Sequence, residues 1–283
     1  MIDNTRLTGI SDEGAPDIER QISLHQELGW GSLELRTVKG INACEMEDDE
    51  FDRVATAIEE AEFSTVAFGS SIANWSRSAQ DPFERDMDDL LRAIPRMRRL
   101  KSRFIRIMSY ISGGFEEEEW AGVVMERLGE LTRVAAGEGV VLVLENCDGW
   151  ASQSPENLSR LLNEIPDPAL QVVFDPGNPL AHGLEPESVN RFFDAALERI
   201  VHFHIKDCFL NEKGEVIHCF PGEGQCENAS LISRLESSGY SGMYSIEPHM
   251  TVQVHKSMEA DSEAQSLNYS QYGQKAQALL ASL

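Results

Sequence analysis

The chain has 283 residues, of which 41% are hydrophobic and 25% charged, a composition typical of a folded globular protein. Its formal net charge of −24 disfavours binding to nucleic acid or to an anionic membrane surface, and the sequence contains no apolar run long enough to predict a membrane span. The first residues lack a signal-peptide pattern, and five cysteines without Cys-x-x-Cys spacing argue against a disulfide scaffold, so we expect a cytoplasmic protein.

Short apolar runs alternate with stretches of helical periodicity along the whole chain. Strands are predicted near residues 5–10, 31–35, 64–68, 103–108, 140–145, 170–175, 199–205 and 243–247. Helices are predicted near residues 16–28, 48–62, 83–100, 117–137, 155–164, 186–197, 228–238 and 257–281. Eight strands that alternate with eight helices are typical of a (β/α)8 TIM barrel of the α/β class. Because the sequence shows no linker, we predict a single domain over residues 1–283.

Glycines and long connections agree with this pattern. Gly29, Gly139 and Gly239 each follow a predicted helix, where a left-handed residue commonly ends it. The segment 207–227 is the longest insertion between a predicted strand and its helix. We expect it and the segment 69–80 to shape a pocket at the barrel rim.

Four of the predicted strands end in a residue type that binds metal ions. These residues are separated by 30, 29 and 43 positions, and they are Glu145, Asp175, His204 and Glu247. The carboxyl ends of parallel strands meet at one rim, so the four side chains are predicted to converge there. Three carboxylates and one imidazole suit a hard or borderline divalent cation. The alternative is a set of ordinary rim residues, each paired with a nearby basic group.

The same four residues indicate a reaction. A divalent ion bound by them would leave positions for a carbonyl and a neighbouring hydroxyl, and would stabilise the enediolate formed when the carbon loses a proton. Glu145 and Glu247 come from strands far apart around the ring, and we expect each to have a second oxygen free to face the substrate. One glutamate would remove a proton from one face and the other would return it on the opposite face, as an isomerase or epimerase requires.

Six further residues near the predicted rim are candidates for substrate contact. Alternation along an extended segment would point Lys206 to the same side as His204, where it would bind a substrate carboxylate or hydroxyl, or orient a ligand. The alternative for Lys206 is a surface ion pair. Asn178 and His249 each lie within three residues of a predicted ligand. His182 lies on the loop after the sixth predicted strand. Trp75 and Trp150 lie on loops after the third and fifth strands, where they either wall a sugar pocket or belong to ordinary packing.

Four polar residues outside this set have structural alternatives. Glu34 and Arg36, at the end of the second strand, either reach the cavity or pair with one another. His202 is expected to face the helix layer or the packing of the barrel. His25 lies in a predicted helix, where we expect it to be structural.

Six motifs occur in a defined order along the chain. They are the segment from Leu28 to Arg36, Leu144-Glu145-Asn146, Phe174-Asp175-Pro176-Gly177-Asn178, His202-Phe203-His204-Ile205-Lys206-Asp207, Pro221-Gly222-Glu223-Gly224 and Ile246-Glu247-Pro248. In these motifs and over nearly its whole length the chain resembles the xylose isomerase-like TIM barrels, in particular the sugar phosphate isomerase/epimerase family. That family includes ketose 3-epimerases, hydroxypyruvate isomerase and inosose dehydratase, with endonuclease IV as a distant relative.

The resemblance implies a divalent metal at the four ligands, with Mn²⁺ first and Mg²⁺, Co²⁺ or Zn²⁺ as alternatives. It also implies that Glu145 and Glu247 are the acid and base. Ketose 3-epimerases carry a substrate-contacting histidine where this chain has Asn178, and a substrate-contacting arginine where it has Leu210. The substrate and the reaction subtype therefore stay open.

The leading hypothesis is a metal-dependent isomerase or epimerase acting on a ketose or keto-sugar derivative through an enediolate. The alternative is a lyase that dehydrates an inosose or a 3-keto-glycoside type of substrate at the same metal site. A third hypothesis is a non-catalytic sugar or metal binder on a retained barrel. The expected partner is a small sugar or keto-polyol, and a homo-oligomer is compatible with the sequence.

Overall fold

Eight parallel strands, numbered β1 to β8 in chain order, form the centre of the protein. The structure is a computed structural model that describes residues 2–250 and 262–283. The strands are β1 (Leu7–Gly9), β2 (Ser32–Leu35), β3 (Ser64–Gly69), β4 (Phe104–Ser109), β5 (Val141–Gly149), β6 (Leu170–Phe174), β7 (Ile200–Ile205) and β8 (Tyr244–Ile246). Each strand from β2 to β8 pairs with the next, and β8 pairs with β1.

The barrel closes between β1 and β2 through a short seam. A single parallel bridge joins Ile10 to Glu34, and the Ser11 hydroxyl donates to the Glu34 carbonyl oxygen at 3.3 Å. The eight strands, in the predicted places, confirm the (β/α)8 barrel.

The helices cover the outside of the barrel. They are α1 (Ile18–Glu27), α2 (Asp48–Glu60), α3 (Glu84–Arg99), α4 (Glu117–Glu138), α5 (Pro155–Glu164), α6 (Glu187–Ala196), α7 (Asn228–Ser237) and α8 (Ser262–Ala281). Their apolar faces recur at helical spacing, as in α5, where Leu158, Leu161 and Leu162 are buried. The predicted last helix began at residue 257, but residues 257–261 lie outside the described part of the chain. Within the described residues, no helix combines the length and the apolar character that a membrane span requires.

The predicted helix ends agree with the backbone. Gly29, Gly139 and Gly239 have φ angles of 75°, 73° and 89°, the left-handed conformation that ends a helix without steric cost at glycine.

The long insertion after β7 contains structure that the sequence pattern did not predict. Residues Asp207–Leu210 and Val216–Cys219 pair as an antiparallel hairpin. The Asp207 carboxylate stabilises the start of this hairpin, because it accepts hydrogen bonds from the backbone N–H groups of Cys208, Gly222 and Cys226. A second, shorter hairpin follows β2 and joins Thr37–Val38 to Ile41–Asn42.

A small apolar cluster is separate from the main core that packs between sheet and helices. It consists of Val141, Val143 and Val173. Residues two positions apart on a strand share one face, so Glu145 and Asp175 point to the same side of the sheet as this cluster. The fold therefore aims these carboxylates into the barrel, at its carboxyl end.

Candidate metal centre

Four side chains from the last four barrel strands, or from the residues that directly follow them, converge inside the rim. Glu145 lies in β5 and His204 in β7, while Asp175 and Glu247 directly follow β6 and β8. His204 Nδ1 faces one oxygen of each carboxylate, at 3.7 Å (Glu145), 3.8 Å (Asp175) and 3.4 Å (Glu247). One ligand atom from each residue lies within 4.8 Å of the others, and all four residues are buried. The structure thus brings the four predicted ligands to one point.

Glu34 in β2 determines which nitrogen of His204 faces the carboxylates. Glu34 Oε2 lies 3.3 Å from His204 Nε2 and 2.8 Å from His202 Nε2. Because a carboxylate oxygen accepts, both Nε2 atoms carry a hydrogen and His204 Nδ1 is left to face the other three acids. A carboxylate behind a ligating histidine is common at metal sites. Glu34 therefore reaches the cavity, and His202 lies inside the barrel rather than against the helices.

His204 Nδ1 is buried and, among the described residues, has no hydrogen bond of regular geometry. Asp175 Oδ2 and Glu247 Oε2 are also buried without such a bond, but the Lys206 ammonium lies 2.7 Å from each of them. A buried polar atom left without a hydrogen bond costs about 1 to 3 kcal/mol, so a cation at His204 Nδ1 would stabilise the site. Carboxylate oxygens and an imidazole nitrogen are suitable ligands for Mg²⁺, Mn²⁺, Co²⁺ or Zn²⁺. The donor set fits a divalent metal ion.

The Lys206 ammonium lies among these ligands. Its Nζ is 2.7 Å from Asp175 Oδ2 and 2.7 Å from Glu247 Oε2, and it donates to Asn178 Oδ1 at 3.0 Å. The side chain is almost completely buried, so the alternative of a surface ion pair does not apply. Lys206 is placed to orient two ligand carboxylates, one of the roles expected for it.

Two buried arginines hold the outer oxygens of the two glutamates. Arg106 Nη1 donates to Glu145 Oε2 at 2.9 Å. Arg36 Nη1 donates to Glu247 Oε1 at 3.3 Å, and its other nitrogens contact Asp12 and Glu13. The expectation that each glutamate has a free second oxygen is therefore wrong, and so is a pairing of Arg36 with Glu34. The reason is that both arginines lie in or directly after strands that are distant in sequence from the glutamates, and their side chains reach the barrel interior.

Negative charge predominates in this cluster. Five buried carboxylates meet three buried cations, with the half-buried Asp12 as a further acid at the edge: Glu13, Glu34, Glu145, Asp175 and Glu247 against Arg36, Arg106 and Lys206. Buried charge without a counter-charge is costly, so the excess favours added positive charge, either a proton on His204 or a bound metal ion.

The pKa values of the ligands follow from these neighbours. Burial by itself raises the pKa of Glu145, but the Arg106 guanidinium outweighs burial and lowers the pKa to about 2. In the same way, the Lys206 ammonium overcomes burial and holds the pKa of Glu247 well below its usual value. Burial prevails at Asp175, whose pKa is raised. Both glutamates are thus ionised at neutral pH, the form that binds a metal.

His204 responds to the same carboxylates. Burial alone would lower its pKa, but the charge of Glu34 and the three facing acids outweigh burial and raise the pKa well above the usual value. A proton on Nδ1 and a metal ion therefore compete for one position.

Asn178 and His249, both predicted to contact substrate, touch the two glutamates. Asn178 Nδ2 donates to Glu145 Oε1 at 3.0 Å. His249 Nε2 lies 3.1 Å from Glu13 Oε1 and 3.5 Å from Glu247 Oε1. Both side chains border the site, and their contact with substrate stays a prediction.

The other three candidates lie farther out on the rim. His182 is exposed and its Nε2 lies 3.7 Å from Asp148 Oδ1. Trp75 is half-buried on the loop after β3. Trp150 is fully buried, and its indole N–H donates to Glu117 Oε1 at 2.7 Å. This placement favours packing for Trp150, the alternative that the sequence left open.

Sequence reasoning missed two residues of the cluster, Arg106 and Glu13. Arg106 interrupts the apolar run of β4, Phe104–Ser109, and a charge inside such a run was a usable signal. Glu13 lies in the loop after β1, where an acidic residue carries no distinctive pattern.

Comparisons with known proteins agree with this architecture. The sequence profile of the family described as xylose isomerase-like TIM barrel matches residues 22–269. Inosose dehydratase of Geobacillus thermodenitrificans is 24% identical over 147 residues, which are 47% of this chain and 48% of that protein. The chain thus spans about half the length of the curated relatives that it matches.

Solved structures with little sequence identity share the fold over nearly the whole chain. A protein with a bound zinc atom superimposes with a TM-score of 0.74 at 17% identity, covering 98% of this chain and 97% of that one. A Mycobacterium smegmatis barrel in complex with magnesium gives 0.71 at 15% identity, covering 99% and 100%. The 3-keto-D-glucoside 4-epimerase of E. coli gives 0.67 at 16% identity, covering 95% and 98%.

Proposed function

Because this chain belongs to the family of xylose isomerase-like TIM barrels, we propose that it is a divalent-metal-dependent isomerase or epimerase acting on a ketose or keto-sugar derivative. The observation that carries the proposal is the buried cluster in which two glutamates, an aspartate and a histidine face one point. The residues that would hold the ion are Glu145, Asp175, His204 and Glu247. We propose Mn²⁺ as the ion, with Mg²⁺, Co²⁺ or Zn²⁺ as alternatives.

A divalent ion at this position would supply the Lewis acidity that stabilises negative charge on substrate oxygens after a neighbouring carbon loses its proton. The protein's own groups orient the ligands and move the proton. Lys206 and Asn178 position the carboxylates of Asp175, Glu247 and Glu145 through direct contacts.

We assign proton abstraction to Glu247 before Glu145. The outer oxygen of Glu145 is held at 2.9 Å by a buried arginine, whereas the outer oxygen of Glu247 has its arginine at 3.3 Å. His249 Nε2 lies 3.5 Å from that Glu247 oxygen, and its side chain is 23% exposed. The arginine thus holds Glu247 Oε1 less closely than Arg106 holds the outer oxygen of Glu145, and an imidazole that reaches solvent lies beside it, to which an accepted proton can pass. In an epimerisation, Glu145 would return the proton on the other face.

A lyase is the second candidate, and Lys206 is the group that would serve it as the acid. Its ammonium would protonate a departing β-hydroxyl after the same carbon proton has left, although the charges of Asp175 and Glu247 raise the pKa of Lys206 well above the usual value. The alignment with inosose dehydratase, which spans half of that protein, is consistent with this reaction class.

Deuterium incorporation tests the proposal. The protein with added Mn²⁺ is incubated in D₂O with a panel of ketoses, keto-inositols and 3-keto-glycosides, and the products are weighed by mass spectrometry. Gain of one deuterium without loss of water supports the isomerase or epimerase, while loss of one water supports the lyase. Protein stripped with EDTA is the control and should give neither product. Exchange that persists without metal would contradict the proposed role of the ion.

Absence of exchange with the whole panel would favour the third hypothesis, a sugar or metal binder without catalysis. A cytoplasmic location, the lack of nucleic-acid and membrane partners, and homo-oligomer formation stay predictions.

A further inference from the structure

A second group of metal-ligating side chains lies on the rim, apart from the four central ligands. Its members are Cys147 and Asp148 at the end of β5 and His182 after the short helix Asn178–Ala181. One ligand atom from each lies within 4.8 Å of the others. Cys147 and Asp148 are half-buried and His182 is exposed, so an ion from solvent can reach all three.

The individual contacts have the spacing that one small ion would bridge. The Cys147 thiol donates to Asp148 Oδ2 at 3.8 Å, and His182 Nε2 lies 3.7 Å from Asp148 Oδ1. In a tetrahedral zinc centre with ordinary bond lengths, ligand atoms are about 3.3 to 3.6 Å apart. Each of these two contacts exceeds that spacing by a few tenths of an ångström, and the exposed His182 ring can move to shorten its own.

We propose that Cys147, Asp148 and His182 form a second metal site, which takes Zn²⁺ or Co²⁺ with water as the remaining ligand. The thiol proton that now points to Asp148 leaves to solvent when the sulfur ligates, so one proton is released for each ion bound. The bound ion replaces that proton between sulfur and carboxylate. It also ties the end of β5 to the loop after β6.

The chemistry of the two sites differs. The central ligands supply only oxygen and one nitrogen, which hard ions such as Mg²⁺ accept. The rim site adds a sulfur ligand, which Mg²⁺ disfavours and Zn²⁺ and Co²⁺ accept. Excess Mg²⁺ should therefore occupy the central site and leave the rim site open.

Titration with Co²⁺ in saturating Mg²⁺ and under reducing conditions tests the proposal. A thiolate bound to Co²⁺ absorbs in the near ultraviolet, and the central ligands contain no sulfur. The native protein should develop this absorption to a plateau at one Co²⁺ per chain. Cys147→Ser should lose it, and His182→Ala, which changes an exposed side chain, should weaken Co²⁺ binding at least about tenfold.

Two control variants distinguish this site from the other cysteines and from the central site. Cys219→Ser removes a different cysteine and should keep the absorption. Asp175→Asn removes a central ligand and should also keep it, so failure of the central site would not be mistaken for failure of this one. Absorption that survives Cys147→Ser, or a native protein that develops none, would overturn the proposal.

Discussion

The Lys206 ammonium nitrogen lies 2.7 Å from Glu247 Oε2, the oxygen that faces the candidate metal position. A positive side chain therefore shares a carboxylate with the place where a divalent cation would bind. Two unit charges of the same sign that lie near 4 Å apart in a partly buried site repel each other by about 4 kcal/mol. Lys206 thus orients the carboxylates of Asp175 and Glu247, while its charge disfavours the binding of a metal ion beside them.

We expect Lys206→Met to bind Mn²⁺ more tightly, by at least about tenfold, because the competing charge is gone. Its metal-free form should be less stable, because two buried carboxylates lose their cation. Calorimetric titration and thermal unfolding measure both effects. Lys39→Met, at an exposed lysine, is the control and should change neither quantity. Unchanged or weaker Mn²⁺ binding by Lys206→Met would contradict the competition.

Glu247→Gln should reduce turnover by at least about a hundredfold, since it removes the proposed proton acceptor and a charged ligand. Deuterium exchange with a substrate found in the panel measures this directly. Saturating Mn²⁺ in the assay separates loss of the base from loss of affinity. Glu198→Gln, on the exposed surface, should keep native exchange. Near-native exchange by Glu247→Gln would remove Glu247 from the mechanism.

The Arg106–Glu145 pair should behave as a coupled unit in the metal-free protein. Both side chains are buried, so Arg106→Met alone should lower the free energy of unfolding by about 3 to 5 kcal/mol. The double change Arg106→Met with Glu145→Met should recover much of that loss, because neither charge is left alone. Urea unfolding of the four proteins of this cycle gives the coupling energy. Additive losses would show that the contact carries no coupling.

Gly177→Ala should displace Lys206. A Cβ at position 177 would lie 2.6 Å from Lys206 Cδ, although the backbone conformation suits alanine. We expect a loss of about 1 to 3 kcal/mol in unfolding free energy together with altered Mn²⁺ affinity. Gly129→Ala, on α4 with open space around it, is the matched control and should not destabilise the protein. A Gly177→Ala protein with native stability and native Mn²⁺ affinity would argue against the close approach.

His25 should make the stability depend on pH. Its Nδ1–H donates to the Ser32 carbonyl and its Nε2 accepts from the Tyr269 hydroxyl. Burial lowers the pKa of His25 from 6.5 to about 4, so the folded protein holds the neutral ring. This contribution is fully present above pH 6.5 and is lost as the pH falls towards 4, by about 3 kcal/mol.

Urea unfolding of the native protein and of His25→Gln over this pH window measures the effect. The variant should be less stable at neutral pH, and the difference between the two proteins should shrink as the pH falls. A constant difference would show that His25 does not titrate as expected.

The barrel and the convergence of four residues at its centre could be predicted because their signals are local. Strand and helix periodicity repeats along the chain, and Glu145, Asp175, His204 and Glu247 each stand where the apolar run of a strand ends. Parallel strands connected through helices place such ends on one rim, whatever the side chains around them. The hairpin in the insertion after β7 escaped prediction, because Asp207–Leu210 and Val216–Cys219 are too short to show a clear period.

What the sequence determined by itself was the fold and the order of the four candidate ligands around it. Only the tertiary structure decided which side chains contact these four residues. Arg106 of β4 contacts Glu145, Arg36 after β2 contacts Glu247, and Glu34 of β2 contacts His204. The physical reason is that these contacts cross the barrel interior between residues 39 to 211 positions apart. Which side chains meet there depends on strand register and closure, and chain spacing encodes neither.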